Sequence, residues 1–319
     1  MYTVLAGGVG AARFLRGLVR VVPPEEVTVV VNVGDDLTHL GLKVCPDLDS
    51  ITYWLAGVIH PEQQWGRAEE THVVATELAR FGHRPWFTLG DRDLATHLHR
   101  TLRLAEGATL SEVTAEVARA FGVEVRLLPV TDDPVPTRIT TTDGRDLHFQ
   151  EYWVGERARP EVAAVRSEGA ADAVPAPGVL DAIADAQVVL LAPSNPVVSI
   201  DTILAVPGVR DALGDTAAPV VGVSPIVGGE VVRGMAHRLL PAVGAEVSAL
   251  GVARHLGAVL DGWVIDHRDA TVADEVRALG PACAVTDTLM DDVEVAAALA
   301  RTCLELAAEI AAPAPASGS

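Results

Sequence analysis

Positive charge is scarce in this chain. Its 319 residues carry 24 lysines and arginines against 43 aspartates and glutamates, a formal net charge of −19. Such a field repels nucleic-acid backbones and anionic membrane surfaces, so neither is expected as a partner. Any phosphate-bearing ligand then needs local help from helix-start amides, a few arginines or a divalent cation chelated by carboxylates. Cysteine is nearly absent too. Cys45, Cys283 and Cys303 are odd in number and far apart, which excludes zinc spacing and a disulfide framework and predicts reduced thiols in the cytoplasm. No basic stretch followed by a long apolar one opens the sequence, and no uncharged apolar run reaches ~18 residues. A soluble protein without secretory signal or membrane span is expected.

What is present is an ordinary globular composition, 49% hydrophobic and 21% charged. Residues 2–6 form an apolar run ending in Gly7-Gly8, and a helical pattern follows over 11–22. Residues 27–33 (VTVVVNV) repeat the theme and end in Gly34-Asp35-Asp36, as do 187–192, 220–223 and 259–265, each closed by polar or small residues. Continuous rather than alternating hydrophobicity means that both faces are covered, the habit of parallel strands between helices. The pattern predicts an α/β fold with a doubly wound, mostly parallel, Rossmann-like sheet, whose ligands bind outside the carboxyl ends of the strands. Residues 60–175 differ. Helical periodicity over 69–81 and 110–121, and a hairpin pairing 138–142 with 147–154, predict an insertion that caps the active site of a single domain, 1–311. Residues 312–319 (APAPASGS) read as a disordered tail.

Five clusters are candidates for chemistry. Gly7-Gly8-Val9-Gly10-Ala11-Ala12-Arg13, between a strand and a helix, suits backbone approach to a phosphate, or else is a tight turn packing helix on sheet. It lacks the Gly-Lys-Ser/Thr of a Walker A loop, and Arg13 stands where a dinucleotide fingerprint has its third glycine. Asp35-Asp36 directly follows a buried strand, and Asp47 and Asp49 lie at a helix start. Either pair alone reads as caps or turns. Together at one sheet edge they suit Mg²⁺, which keeps several waters and bridges substrate phosphates. In Leu89-Gly90-Asp91-Arg92-Asp93-Leu94-Ala95-Thr96-His97, Arg92 either forks onto a phosphate or pairs with Asp91 and Asp93; His97 and His99 cannot share a helical face as metal ligands. Ser194 and Asn195, with Gly228 and Gly229, suit a nucleobase or ribose, or ordinary turns. His148-Phe149-Gln150-Glu151-Tyr152-Trp153-Val154 gathers three aromatic rings in a chain only 4% aromatic. They form either a hairpin core or a platform for a flat heterocycle.

Read in order, GGVGAARFLRGL, VNVGDDLTHLGL, CPDLDSITYWLAG, LGDRDLATH, LLPVTDDPVPT, HFQEYWV, LLAPSNPVVSI, SPIVGG and DTLM resemble the CofD/FbiA transferases of deazaflavin coenzyme (coenzyme F-420) biosynthesis, from the N-terminus to about residue 292. The resemblance implies an Mg²⁺-dependent transfer of a phosphorylated three-carbon acid from a diphospho-guanosine donor to the ribityl hydroxyl of the deazaflavin Fo, with release of GMP. The wording of the first and middle motifs is similar to the phosphoenolpyruvyl-using FbiA type, with 2-phospho-L-lactyl as the alternative. It implies Asp35 and Asp49 as metal ligands with Asp36 and Asp47 in reserve. The metal and an aspartate, Asp49, are then expected to orient and deprotonate the attacking hydroxyl. The resemblance further implies Asp49, Thr88, Arg92 and Asp91 at the deazaflavin, although archaeal members have lysine in place of Thr88. Gly8, Gly10 and Arg13 fall to the donor phosphates, and Ser194, Asn195, Gly228 and Gly229 to the guanosine. A homodimer is implied as well. Two rivals are a YvcK-type nucleotide-sugar-binding regulator, which shares the glycine-rich start but lacks the later motifs, and an NAD-dependent dehydrogenase, which Arg13 and the edge carboxylates disfavour.

Overall fold

The fold was analysed in a computed structural model that describes residues 1–312; the expected tail lies outside them except for Ala312. Seven strands, β1 (Tyr2–Ala6), β2 (Val27–Val31), β3 (Arg126–Pro129), β4 (Val188–Leu191), β5 (Val220–Val223), β6 (Gly262–Asp266) and β7 (Ala282–Thr286), form one sheet. Their order in space is β3-β2-β1-β4-β5-β6-β7, and every pairing is parallel. β2 is VTVVV with all residues buried, as a strand covered on both faces requires. The chain winds outward from β1 to β3 and then in the opposite direction from β4 to β7. The crevice at the carboxyl ends of β1 and β4 is therefore the topological switch point, where ligands of such sheets bind. The expected α/β class, strand direction and winding agree with this architecture.

Helix α1 (Gly8–Leu18) follows β1 without a loop and packs along the C-terminal helix Val293–Ala311. Gly17 makes the crossing close, because a Cβ there would overlap the backbone of Ala296 and Ala297. α2 (Pro46–Leu55) opens with Pro46 and carries Asp47 and Asp49 in its first turn, where a fixed φ and negative charge both favour a helix start. Between β2 and α2 lies a hairpin, Leu37–His39 with Leu42–Val44. Its two-residue turn has positive φ at both Leu40 (52°) and Gly41 (79°), as the twist of a tight hairpin demands.

The stretch 60–175 is not all cap, because β3 lies inside it and forms an edge of the central sheet. Its apolar run is short and ends in Pro129, tolerable only where no further strand needs the missing amide. The rest holds α3 (Val73–Arg80), α4 (Asp91–Ala105), α5 (Leu110–Ala120) and a three-stranded antiparallel sheet. That sheet corrects the expected second hairpin strand. Asp146–His148 is a short strand, residues 151–155 coil into a π-helical turn, and the third strand is Val162–Ser167. β6 likewise begins at Gly262 rather than 259, since Gly257–Val259 is a 3-10 turn.

Candidate active site

The loop after β2 and the first turn of α2 carry the four aspartates, all at least nine-tenths buried. Asn32, one residue beyond β2, organises the first group. Its Nδ2 donates to Asp35 Oδ1 at 3.1 Å and to Asp47 Oδ2 at 2.9 Å. Gln150 Nε2 donates to the other oxygen of Asp35 at 2.6 Å, so the His148–Val154 segment reaches the site through its glutamine. Burial, and then the neighbouring charge of Asp47, hold the Asp35 carboxyl well above the usual carboxylate range. Asp47 is pushed up to about 7, again chiefly by burial. Asp36 is raised by burial against the pull of Lys43, whose Nζ lies 3.0 Å from its Oδ2, and Cys45 Sγ donates to the same oxygen at 3.0 Å. Asp36 Oδ1 is buried with no partner.

Asp49 stands apart. Both of its oxygens accept from the guanidinium of Arg100, Nη1 at 3.1 Å and Nη2 closer still. Arg100 is 2% exposed. Its Nη1 also approaches the Lys43 carbonyl and His97 Nδ1, each at 3.3 Å. His97 in turn bridges Asp49 and Asp93, at 3.6 and 3.3 Å, and Tyr53 donates to Asp93 at 2.8 Å. Asp93, His97 and Arg100 recur along one face of α4, and that face is the buried one. Leu98 and Leu102 of the same helix are exposed. The amphipathicity of α4 is inverted, so hydrophobic periodicity concealed Arg100 and the inward turn of His97. Asn32 was visible as the polar residue closing a buried strand.

Among the described residues, no three histidine, cysteine, aspartate or glutamate side chains converge as a formed metal site. The donor chemistry nonetheless fits a hard cation. Asp35, Asp36 and Asp47 are buried carboxylates near enough to raise one another's pKa, and one of their oxygens is orphaned. The glycine turn borders them: a Cβ at Gly7 would lie 2.7 Å from Asp47 Oδ2, and Gly8 adopts φ +72°. The Gly7 amide donates to Ser194 Oγ at 3.0 Å, tying the β1 and β4 loops across the crevice. Gly10 lies within α1 against the loop after β4, where a Cβ would overlap the Pro193 carbonyl.

The remaining expected residues are placed as follows. Asn195 Oδ1 caps the next helical turn, accepting from Val197 at 3.0 Å. Gly228 and Gly229 are the turn of a small hairpin, Ile226–Val227 with Glu230–Val231, with φ of +60° and +76°. Asp91 caps α3, accepting from the amides of Val73 and Val74 at 2.9 and 3.0 Å, and Arg92 Nη2 lies 3.1 Å from Glu69 Oε2. Glu70 returns the favour, accepting from the amides of Arg92 and Asp93 at the start of α4. The Gly90–His97 motif is thus a reciprocal pair of helix caps with a polar buried face behind it. Thr88 is exposed beside it. Phe149 and Tyr152 are core residues and Trp153 alone of that segment's three aromatic rings is exposed, so they form no aromatic platform. Arg13 donates to the Met290 carbonyl and lies within repulsive reach of Arg233, which donates to Gln63 O at 2.8 Å and to the Gln64 side chain.

The family described as 2-phospho-L-lactate transferase CofD matches residues 2–300. The chain belongs to the CofD family. It is similar to a phosphoenolpyruvate transferase of Streptomyces griseus, 53% identical over 97% of this chain and 99% of that one. It is also similar to phosphoenolpyruvate transferases of Thermobifida fusca, at 49% identity over 96% of this chain and 98% of that one, and of Nocardia farcinica, at 46% over 95% and 94%. A crystal structure of a UPF0052-family protein from Bacillus halodurans superposes with a TM-score of 0.63 over 95% of this chain and 98% of that one. At 18% identity that likeness shows the fold alone. This chain is a transferase.

Proposed function

We propose that this CofD-family chain transfers a phosphoenolpyruvyl group from enolpyruvyl-diphospho-guanosine to the ribityl hydroxyl of the deazaflavin Fo, releasing GMP in coenzyme F-420 biosynthesis. The observation that carries the reading is the Asp35–Asn32–Asp47 bridge against the glycine turn, a buried acidic site that an anionic donor enters only with a cation. The whole-length similarity to phosphoenolpyruvate transferases favours enolpyruvyl over 2-phospho-L-lactyl as the group moved.

Asp35, with Asp36 and Asp47 in place of the expected Asp49, whose two oxygens both accept from Arg100, would hold Mg²⁺, which supplies charge stabilisation at the phosphoryl oxygens when bound. The Gly7-Gly8 backbone at the start of α1 receives donor phosphate, with Arg13 beside it. Asp49 accepts the hydrogen bond of the attacking hydroxyl. An ionised carboxylate has about four acceptor positions, so the two donated by Arg100 leave room for a third. As the new O–P bond forms and the bond to the GMP oxygen breaks, the hydroxyl proton passes to Asp49, which Arg100 keeps in place. Ser194, Asn195, Gly228 and Gly229 line the guanosine side, and Thr88, Asp91 and Arg92 the deazaflavin side, the last two by building the loop.

The three cysteines are free and buried, which suits a reducing cytoplasm. The exposed Val73, Val74 and Phe81 around α3, with Leu98 and Leu102, suit the homodimer that we also propose. Incubation with Fo, Mg²⁺ and each guanosine donor, with product mass as readout, tests the reading. Enolpyruvyl-phospho-Fo is the expected product. Phospholactyl-Fo alone would transfer the assignment to the other donor, and no Fo product would remove it.

A further inference from the structure

A buried histidine must place one proton on the right ring nitrogen, and the two nitrogens of His97 face opposite chemistry. His97 shares the buried face of α4 with Asp93 and Arg100. Opposite lies α2, which carries Asp49 and, one turn later, the buried Tyr53.

His97 Nδ1 lies 3.3 Å from Arg100 Nη1. A guanidinium donates and cannot accept. A proton on Nδ1 would point at that donor, while Asp49 Oδ2, at 3.6 Å, is beyond hydrogen-bond reach. Nδ1 therefore accepts, and the ring proton belongs on Nε2. Nε2 lies 3.3 Å from Asp93 Oδ2, close but not aligned for a hydrogen bond. Hydrogen bonds behind a catalytic group are often loose until substrate arrives. Asp93 Oδ1 accepts from Tyr53 at 2.8 Å, and Tyr53 Oη also lies 2.8 Å from Thr96 Oγ1. Burial raises the Asp93 carboxyl, but His97 and Tyr53 outweigh it and hold the group below the usual carboxylate range. Asp93 is thus the anion that Nε2–H faces.

The contacts run from Tyr53 through Asp93, His97 and Arg100 to Asp49, so they begin and end on α2 and close a ring between the two helices. Stability does not ask for this arrangement. Apolar packing in place of a buried ionic network is often neutral or stabilising, yet α4 buries these charges and leaves Leu98 and Leu102 exposed.

We propose that His97 is a positioning residue for the transfer: Nδ1 fixes the Arg100 fork, the fork aims Asp49 at the acceptor hydroxyl, and Asp93 with Tyr53 locks the Nε2–H tautomer. The inference rests on the role proposed above for Asp49 and adds residues that do not touch substrate. The transferred proton still ends on Asp49.

Two measurements test it. Long-range ¹⁵N–¹H correlation spectra of histidine-labelled wild type, with the His97 signals identified by their loss in His97→Asn, show which nitrogen carries the proton. Protonated Nε2 with bare Nδ1 is expected, and a protonated Nδ1 overturns the proposal whatever the reaction is. Kinetics with both substrates varied then separate aim from binding. A displacement of about 1 Å costs about a hundredfold in rate. His97→Leu is expected to lose about that in kcat, with both KM values near wild type. His97→Asn, whose amide oxygen can stand where Nδ1 stood, is expected to recover most of it. Adding Asp93→Asn to His97→Leu is expected to lower kcat no further, because the two act in one chain of contacts. Wild-type kcat in His97→Leu, equal losses in the Leu and Asn variants, or multiplied losses in the double variant overturn the proposal and leave the function standing. Wild-type protein that turns over no Fo removes the function and the role of His97 in it together.

Discussion

Asp35 and Asp47 share one hydrogen-bond donor, Asn32 Nδ2, at 3.1 and 2.9 Å. One amide cannot neutralise two buried carboxylates, and burial raises the pKa of both, Asp47 to about 7. The sign of the consequence is fixed. With the folded pKa above the unfolded value of 3.8, the folded state keeps protons that the unfolded chain has released. Without metal, stability therefore falls as pH rises from about 4 through 7. Asp47→Asn removes the penalty. Thermal unfolding at pH 7.5 is expected to show a higher Tm for metal-free Asp47→Asn than for metal-free wild type, with Mg²⁺ raising the Tm of wild type only.

Arg100 is buried with its fork on Asp49, so removing one partner strands a charge. Arg100→Met is expected to cost about 3–5 kcal/mol in urea unfolding. The double variant Arg100→Met with Asp49→Asn is expected to recover much of that loss, which a double-mutant cycle measures. Additive losses would mean that the pair is not coupled.

Arg13 and Arg233 donate to uncharged acceptors and repel each other, and among the described residues neither forms an ion pair. A phosphate between them would relieve the repulsion. Arg233→Gln is expected to raise the donor KM about tenfold, for the loss of about 1.4 kcal/mol, and to flatten its salt dependence, with Fo KM unchanged. Kinetics at low and high ionic strength check both effects.

His255 Nε2 lies 2.6 Å from Asp201 Oδ2, and this hydrogen bond raises the histidine pKa above its ordinary 6.5. The contribution of the pair to stability is full below that value and is lost as pH rises through the folded-state pKa. His255→Asn is expected to lower stability at pH 6 more than at pH 9, by about 1 kcal/mol or less for a part-exposed pair. Urea titrations at the two pH values measure the difference.

The sheet was legible because buried parallel strands carry a signal of their own: β1, β2, β4 and β5 are nearly unbroken apolar runs closed by turn residues. β3 was not, since four residues ending in proline look the same in a loop, and only the partner strand β2 makes them a strand. That Asp35, Asp36, Asp47 and Asp49 lie near one sheet edge followed from strand ends and a helix start, with Asp35 and Asp49 expected as the first metal ligands. The separation of Asp49 from the other three did not, because it depends on Arg100, fifty-one residues away on a helix whose polar face turns inward. The same limit applies to the aromatic residues. Clustering in sequence pointed to residues 148–154, whereas clustering in space joins His39 to Trp86 and Phe87 across a hairpin and a loop.

Transfer chemistry at the switch point has one direct measure: GMP released against Fo consumed in a single mixture with enolpyruvyl-diphospho-guanosine, with and without Mg²⁺. The account predicts one GMP per Fo with Mg²⁺, almost no turnover after chelation, and almost none in Asp49→Asn assayed at a temperature where that variant is still folded. GMP release that continues without Fo, or full activity in Asp49→Asn, would contradict it.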